Sequence, residues 1–568
     1  MNEQTKTLGL AVYSEPLDDI PLLINIIKEM GIGELIDGCV KADLHWEGAS
    51  IGTVISIWLC YLLSTQDHRL VAVREWVMEH RELFKRELGI ELRPTDCSDD
   101  RLAIILSRLG QVGNQRRLDK ALLEHWWTIY ALPTETIRLD GTVVSVYHER
   151  EDDADTLLKF GFNPAPREGM RQFKVMMATL DPLGMPLTAQ TVSGEHGDDL
   201  LYIPSYEQAV DLLGSRDVLV VGDSKMSSLA IRGQLIQRGS RYLCPLNENT
   251  LPGKERLGHL TDILAHPDSW QSVYRQDQQG RQTELIAVVV ERERSQRWAP
   301  KGGEPVYWKE RLIFVRSVQL RASQLHRLER RWQRLQTQLE KLRQPPGPGR
   351  KSACTDEGLR KKVQTLLKQT GLTHLVEVNL IHRILLHGQS RWIVDSYARD
   401  EVRWQAYCDR LGWRVYATNT TPTELEATAS VGVYRHQVLH ERTFSRLKTR
   451  RFNIQPVFLR DEQRIVGLTW LLVLALRILT LTEFRLRQAL KQADADLIGL
   501  NPAAPSQTTQ QPTVDRLLAF FHPIYLTVID IDGQTRRYVT QLSPTQRQIL
   551  ALLSLPEDLY ARLALPPP

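Results

Sequence analysis

Apolar positions along the chain change their period several times, and each change predicts an element. From residue 1 to about 133 they recur at helical spacing. "SIGTVISIWLCYLLST" and "DHRLVAVREWVMEH" each lay an apolar face along a helix, and Ser98 stands where a cap would open "DDRLAIILSRLG". From 136 the pattern becomes that of strands. "TIRLDGTVVSVYHE" (136–149), "FKVMMATLDP" (173–182) and "PLTAQTVSG" (186–194) are short, β-branched or alternating, and parted by turn residues. A helix capped by Asp198 is expected at about 199–213, followed by "DVLVVGDSK" (217–225), whose continuous apolar run predicts a buried central strand. The order strand, strand, strand, helix, strand predicts an antiparallel meander that a fourth strand joins after a helical crossover.

Residues 270–318 predict a β-hairpin or small antiparallel sheet. Leu325, Leu328, Trp332, Leu335, Leu339 and Leu342 then follow at intervals of 3-4-3-4-3, a heptad seam for an αα-hairpin, and "PPGPGRKS" (345–352) breaks it. Between Arg316 and Lys351 stand ten Lys and Arg against two acids, a basic stripe that suits either a solvated helix or one facing DNA. Strand character returns at "GWRVYATN" (412–419), and Thr421, Pro422 and Glu424 form a capping box predicting a helix start. Arg477 interrupts "IVGLTWLLVLALRILTL" (465–481), leaving an apolar run short of the roughly 20 residues that span a bilayer, so a buried core helix is expected. A polar linker within 489–513 precedes a small terminal module. The expected organisation is a helical domain over 1–133, a core in two parts over 134–240 and 406–488, an insertion over 241–405, and a linker with its module over 489–568.

A chain of 568 residues exceeds one compact core. At 42% hydrophobic, 25% charged and a net charge of +4, composition is ordinary, so any nucleic-acid partner must be sought in the distribution of charge rather than its sum. The six cysteines contain no CxxC pair, which argues against a zinc site or disulfide framework and fits a reducing compartment. With no signal peptide in "MNEQTKTLGL" and no membrane partner, the expectation is a cytoplasmic, nucleoid-associated protein. Acids outnumber bases over 1–133, so DNA-end recognition there would need a local patch, with Arg69, Arg74, Arg116 and Arg117 as candidates.

The candidate chemistry begins at "YRHQVLHERTFSRLK" (434–448). Tyr434, Glu441 and Lys448 are seven residues apart, just under two helical turns, which predicts one shared helix face. Asp140 lies in the first strand, facing away from Ile137 and Leu139, and Asp223 ends the fourth. Were those strands neighbours, the two carboxylates would meet at one sheet edge. Three carboxylates, with no histidine or cysteine required, make a hard-oxygen site for Mg²⁺ or Mn²⁺. Two such ions about 4 Å apart activate a water or a 3′-hydroxyl and stabilise the leaving oxygen of a phosphodiester. Arg435, Arg442, Arg446, Lys448, Arg450 and Arg451 crowd the same stretch and suit a polyanionic substrate. His436 and His440 stand four apart, but Glu441 falls outside the pair, unlike the zinc-protease order. Asp181 is expected in a turn, Asp152, Asp153 and Asp155 in an exposed loop, and "GEHGDD" (194–199) in helix capping.

The order of elements and the acidic positions resemble the ribonuclease-H-like core of DDE transposases from bacterial insertion sequences. In one branch the last glutamate lies in a Tyr-x2-Arg-x3-Glu-x6-Lys signature. Tyr434, Glu441 and Lys448 match it, Gln437 occupies the arginine slot, and "LDGTVVSVY" and "VVGDSKMSS" resemble the two Asp blocks. The resemblance covers about 136–480. It implies an α/β fold with a mixed five-stranded sheet and flanking helices, a β-containing and helical insertion, and a helical N-terminal domain. It implies Asp140, Asp223 and Glu441 as catalytic ligands of two Mg²⁺ or Mn²⁺ ions, and Tyr434, Lys448, Arg442 and Arg446 on DNA. The implied activity is binding of terminal inverted repeats, metal-dependent cleavage and strand transfer, on double-stranded DNA and as a homodimer at synapsis. A nuclease of the same fold without strand transfer, or a DNA-binding protein with a decayed core, are the alternatives. The presence of all three carboxylates and Lys448 speaks against decay.

Overall fold

The structure, a computed structural model, describes residues 10–147, 156–163, 170–277, 280–343, 355–384, 390–531 and 534–565. The acidic run at 152–155 and the helix break at 345–352 lie outside these, as do residues 1–9. The chain forms two compact units, one from 1–226, 237–240 and 435–568, the other from 227–236 and 241–434.

In the first unit, seven helices run between Ile20 and Tyr130. The helix Ile51–Thr65 is apolar on nearly every side and almost wholly buried, and Ser50 caps it by accepting from the Thr53 N–H. This region falls in one compact unit with residues 435–568. A strand hidden from helical periodicity, β1 (Leu10–Pro16), pairs antiparallel with Tyr525–Ile531, so the expected N-terminal domain and C-terminal module share one sheet. The helix Asp99–Leu109 packs on the long helix Glu462–Gln492 with no room for a side chain. A Cβ on Gly467 would lie 2.0 Å from the Leu106 carbonyl oxygen.

That long helix has 31 residues and, by length and composition alone, could cross a bilayer, which revises the expected short apolar run. Its apolar stretch is 94% buried inside the protein. Arg477, fully buried, donates to Asp119 Oδ1 at 2.7 Å, to the Pro186 carbonyl at 2.9 Å and to the Leu187 carbonyl at 2.8 Å. A buried guanidinium is tolerable only when paired and hydrogen-bonded in this way.

Beside the helices lie β2 (Thr136–Val146), β3 (Arg171–Leu180), β4 (Met185–Ser193) and β5 (Leu219–Gly222). The first three form the expected antiparallel meander. The helix Tyr202–Leu213 then crosses over to β5, which runs parallel to β2, with Thr136 opposite Leu219 and Leu139 opposite Gly222. Every residue of β3 is buried.

The second unit holds β6 (Arg241–Pro245), β7 (Gln271–Gln276), β8 (Gln282–Trp298), β9 (Val306–Ser317), β10 (Val376–Ile384), β11 (Ser390–Arg399) and β12 (Trp413–Thr418). β12 is the strand expected at 412–419, and it lies antiparallel between β6 and β9. β7, β8 and β9 form the predicted antiparallel sheet. Four strands lie in order β4-β3-β2-β5 in the first unit and five in order β6-β12-β9-β8-β7 in the second. The heptad seam is present. Leu328, Trp332, Leu335 and Leu339 of the helix Val318–Arg343 pack on Leu359, Val363 and Leu367 of the helix Asp356–Thr370. The capping box at Thr421 does form, since Thr421 N–H donates to Glu424 Oε2 at 2.6 Å, but it closes a turn and the helix begins only at Ala427.

Candidate active site

Pairing between β2 and β5 ends with Leu139 opposite Gly222, so Asp223, just past the end of β5, follows beside Asp140, which stays within β2 opposite Met177 of β3. Asp140 keeps part of its surface open, yet the protein packed around it withholds water. That desolvation, followed by the negative charge of Asp223, pushes the Asp140 carboxyl up to about 7. The Gly141 N–H, 2.7 Å from Asp140 Oδ1, and the Lys225 ammonium pull the other way without overcoming it.

Asp223 Oδ1 accepts from the Tyr202 hydroxyl at 2.6 Å and from the Lys225 N–H at 2.9 Å. Tyr202 opens the crossover helix. Burial and then the charges of Asp223 and Asp140 push its hydroxyl far up, so it remains a donor. Asp198 completes the cluster, accepting from Lys174 Nζ at 2.6 Å and pairing with Lys225. Burial would raise its carboxyl, but the hydrogen bonds from Lys174 and Lys225 hold it below the usual range. The expectation that Asp198 caps a helix is corrected: it opens a 3₁₀ turn, Asp198–Leu200, and its side chain faces two lysines instead. Sequence reasoning passed over Tyr202, Lys174 and Lys225. The one local signal was a lysine two residues after Asp223.

Tyr434, Glu441 and Lys448 do not share one helix. The helix Ala427–Arg435 stops before His436, Gln437–Ser445 starts after it, and Arg446–Arg450 forms a π-helical turn. The shared face assumed 3.6 residues per turn throughout, and the interruption and the wider π turn both break that register. Tyr434 belongs to the second unit, where it is buried and its ring centroid lies 4.6 Å from that of Tyr416.

Glu441 is exposed on the helix Gln437–Ser445, which packs beside β2 and β4. The turn after β3 fastens this helix. His436 Nδ1 lies 3.3 Å from Asp181 Oδ1, and Asp181 Oδ2 accepts from Arg138 Nη2 at 2.7 Å. Thr179 Oγ1 lies 2.7 Å from His440 Nδ1, and Thr443 Oγ1 donates to the Gly184 carbonyl at 2.8 Å. Asp181 is thus an anchor as well as a turn residue. Burial and then the Arg138 charge push His440 down to about 3, so it stays neutral. Among the described residues no group of three or more His, Cys, Asp or Glu side chains could hold a metal ion. Asp140 and Asp223 are brought together, and Glu441 stands outside their cluster.

Gly184 has a φ of +69°, and a Cβ there would lie 3.1 Å from the Leu439 carbonyl oxygen. Gly184→Ala should therefore destabilise the protein by about 1–2 kcal/mol, the cost of an L side chain in left-handed backbone, and lower the midpoint of urea unfolding.

The cations divide sharply. Lys448 is half-buried, and its ammonium has no hydrogen-bond or ion-pair partner among the described residues. Burial pushes its pKa down. Arg442 and Arg446, expected on DNA, instead turn inward. Arg442 Nη1 lies 3.0 Å from Glu483 Oε1, while buried Arg446 places Nη2 2.9 Å from both Glu483 Oε2 and Asp515 Oδ2. Those charges are committed to the fold, because Glu483 and Asp515 come from distant segments that pack against this helix. Of the N-terminal arginines, Arg69 pairs with Asp67 at 2.8 Å, whereas Arg74, Arg116 and Arg117 are exposed.

Comparison with known proteins matches residues 132–478 to the family described as the transposase DDE domain. Among solved structures, the chain is similar to the cryo-EM structure of a piggyBac transposase synaptic complex with hairpin DNA, at 12% identity and a TM-score of 0.23. The match covers 52% of this chain and 62% of that one, so the chain spans less than two thirds of that relative. No curated protein matches. The family match takes in well over half of the sequence, including Asp140, Asp223 and Glu441, and on that ground the chain belongs to the transposase DDE-domain family.

Proposed function

We propose that this protein is a transposase with a ribonuclease-H-like core. It binds the terminal inverted repeats of its insertion sequence, hydrolyses phosphodiester bonds there and joins the freed 3′-hydroxyls to target DNA. The observation that supports this reading is the parallel register of β2 and β5, in which Asp140 and Asp223 are the next residues after the last paired positions, within the span of the family match.

The donor set fits a divalent cation. Burial and the mutual repulsion of the two carboxylates hold one of them protonated to about pH 7, and their oxygens are hard ligands of the kind Mg²⁺ and Mn²⁺ take. Asp140 and Asp223 would hold the metal, and Glu441, which stands outside their cluster, would have to approach on the helix beside β2 and β4 to serve as a third ligand. When bound, two such ions supply activation of a water or 3′-hydroxyl and stabilisation of the leaving oxygen. The other groups act on the carboxylates. Tyr202 and the Lys225 N–H fix Asp223 through Oδ1, the Gly141 N–H orients Asp140, and Lys174 and Lys225 neutralise Asp198. The Lys448 ammonium, without a partner among the described residues, is suited to a DNA phosphate, and joining two ends calls for a homodimer.

The test is incubation of the protein and Mg²⁺ with DNA carrying the element's ends and a target plasmid. Nicks at the 3′ ends followed by joined products support the reading, nicks without joined products favour the nuclease alternative, and neither overturns both. Lys448→Ala should weaken binding to the ends and make its salt dependence shallower by about one unit of slope, read by titration across salt concentrations.

A further inference from the structure

We infer that the groove between the helices Val318–Arg343 and Asp356–Thr370 is a docking surface for the backbone of duplex DNA, a reading that rests on DNA being the substrate. The groove encloses about 650 Å³ in the second unit. Lys341 reaches it from the first helix, and Lys361 and Lys362 from the second. Gln338, Thr365 and Gln369 add hydrogen-bonding groups, Leu342 and Leu366 form its apolar floor, and among the described residues no carboxylate lines it. Most of the leucine seam is buried against the unit's own core, and only its end, Leu342, reaches the groove floor beside Leu366.

Three of the four acids on the two helices that flank the groove are paired with arginines, and the fourth, Glu357, is exposed and does not line it. Asp356 pairs with Arg360 at 2.7 Å, Glu340 with Arg343 at 3.6 Å, and Glu329 with Arg399 at 2.7 Å. Lys341, Lys361 and Lys362 are exposed and have no acidic partner among the described residues. Three ammonium groups around one concavity repel one another unless an anion lies between them. Duplex DNA offers about one negative charge per 1.7 Å of axis, a density that a groove with three cations and no acid can match. Lysine contacts to phosphate position a duplex without reading its sequence, so the surface should hold DNA of any sequence.

The test compares the full-length parent with the triple variant Lys341→Gln, Lys361→Gln, Lys362→Gln. Binding to a mixed-sequence duplex of several helical turns is measured across salt concentrations in EDTA. Loss of three phosphate contacts should make the slope of log K against log salt shallower by about three units and lower affinity at low salt by at least about tenfold. A control triple at exposed lysines elsewhere, Lys41→Gln, Lys254→Gln, Lys301→Gln, removes the same net charge and should leave the slope within about one unit of the parent's. An unchanged slope in the first triple, or an equal change in the control, overturns the groove. So does a loss confined to an acidic polypeptide such as polyglutamate. Nicking of end DNA in Mg²⁺ by the parent is assayed alongside. A slope change with no nicking keeps the groove and sinks the transposase reading, and nicking with no slope change does the reverse.

Discussion

In EDTA above pH 7, the Asp140→Asn protein is expected to unfold at a higher temperature than the parent, while its metal-dependent cleavage falls by orders of magnitude. Both effects come from one charge. The Asp140 carboxyl titrates at about 7 in the native state, against an ordinary value of 3.8. Between those values the native protein holds a proton that the unfolded chain has released, so stability falls as pH rises and the full penalty is present above about 7. Raising a carboxyl this far costs the native state at most about 4 kcal/mol. Asparagine keeps the size and removes the repulsion with Asp223. Below pH 4 the two proteins should therefore unfold alike, and the gap should open as pH rises toward 7. Thermal unfolding followed by circular dichroism across this range checks the sign. A variant less stable than the parent at every pH would mean that Asp140 is held by contacts rather than strained by charge.

Glu441→Gln is expected to show the complementary result, with cleavage lost by orders of magnitude and no gain in stability. Glu441 is exposed and lies outside the Asp140 and Asp223 cluster, so removing its charge relieves no buried repulsion. Its loss would be felt only where a cation needs a third oxygen ligand. Binding to the element's ends in EDTA should stay the same or tighten slightly as one repulsion from phosphate disappears. Near-parent nicking in Mg²⁺ would remove Glu441 from the ligand set.

The two residues differ in how far the sequence reveals them. The alternation that marks β2, the apolar run that marks β5 and the helix between them together imply a parallel crossover, and that alone brings Asp140 beside Asp223. Asp198 escapes a local reading because its sequence pattern is that of a cap, whereas its lysine partners come from β3 and from the turn after β5. The stretch around Glu441 escapes it because periodicity assumes an unbroken helix. The break at His436 is accompanied by a contact between its ring and the carboxylate of Asp181, which is far away in sequence. Arg442 and Arg446 look like substrate contacts until Glu483 and Asp515 fold against them. β1 is hidden for the same reason, since its partner strand lies near the other end of the chain. Local pattern carries the strands and their order, and pairings over long separations decide which charges are free.

If Asp140 and Asp223 form one divalent-cation site, binding of Mn²⁺ reveals it without requiring turnover. Electron paramagnetic resonance of free Mn²⁺, titrated at a pH above the Asp140 pKa, should show saturable uptake by the parent protein. The double variant Asp140→Asn, Asp223→Asn should leave the free-ion signal close to that of buffer. Equal uptake by parent and double variant would place the metal elsewhere and rule out a site at Asp140 and Asp223.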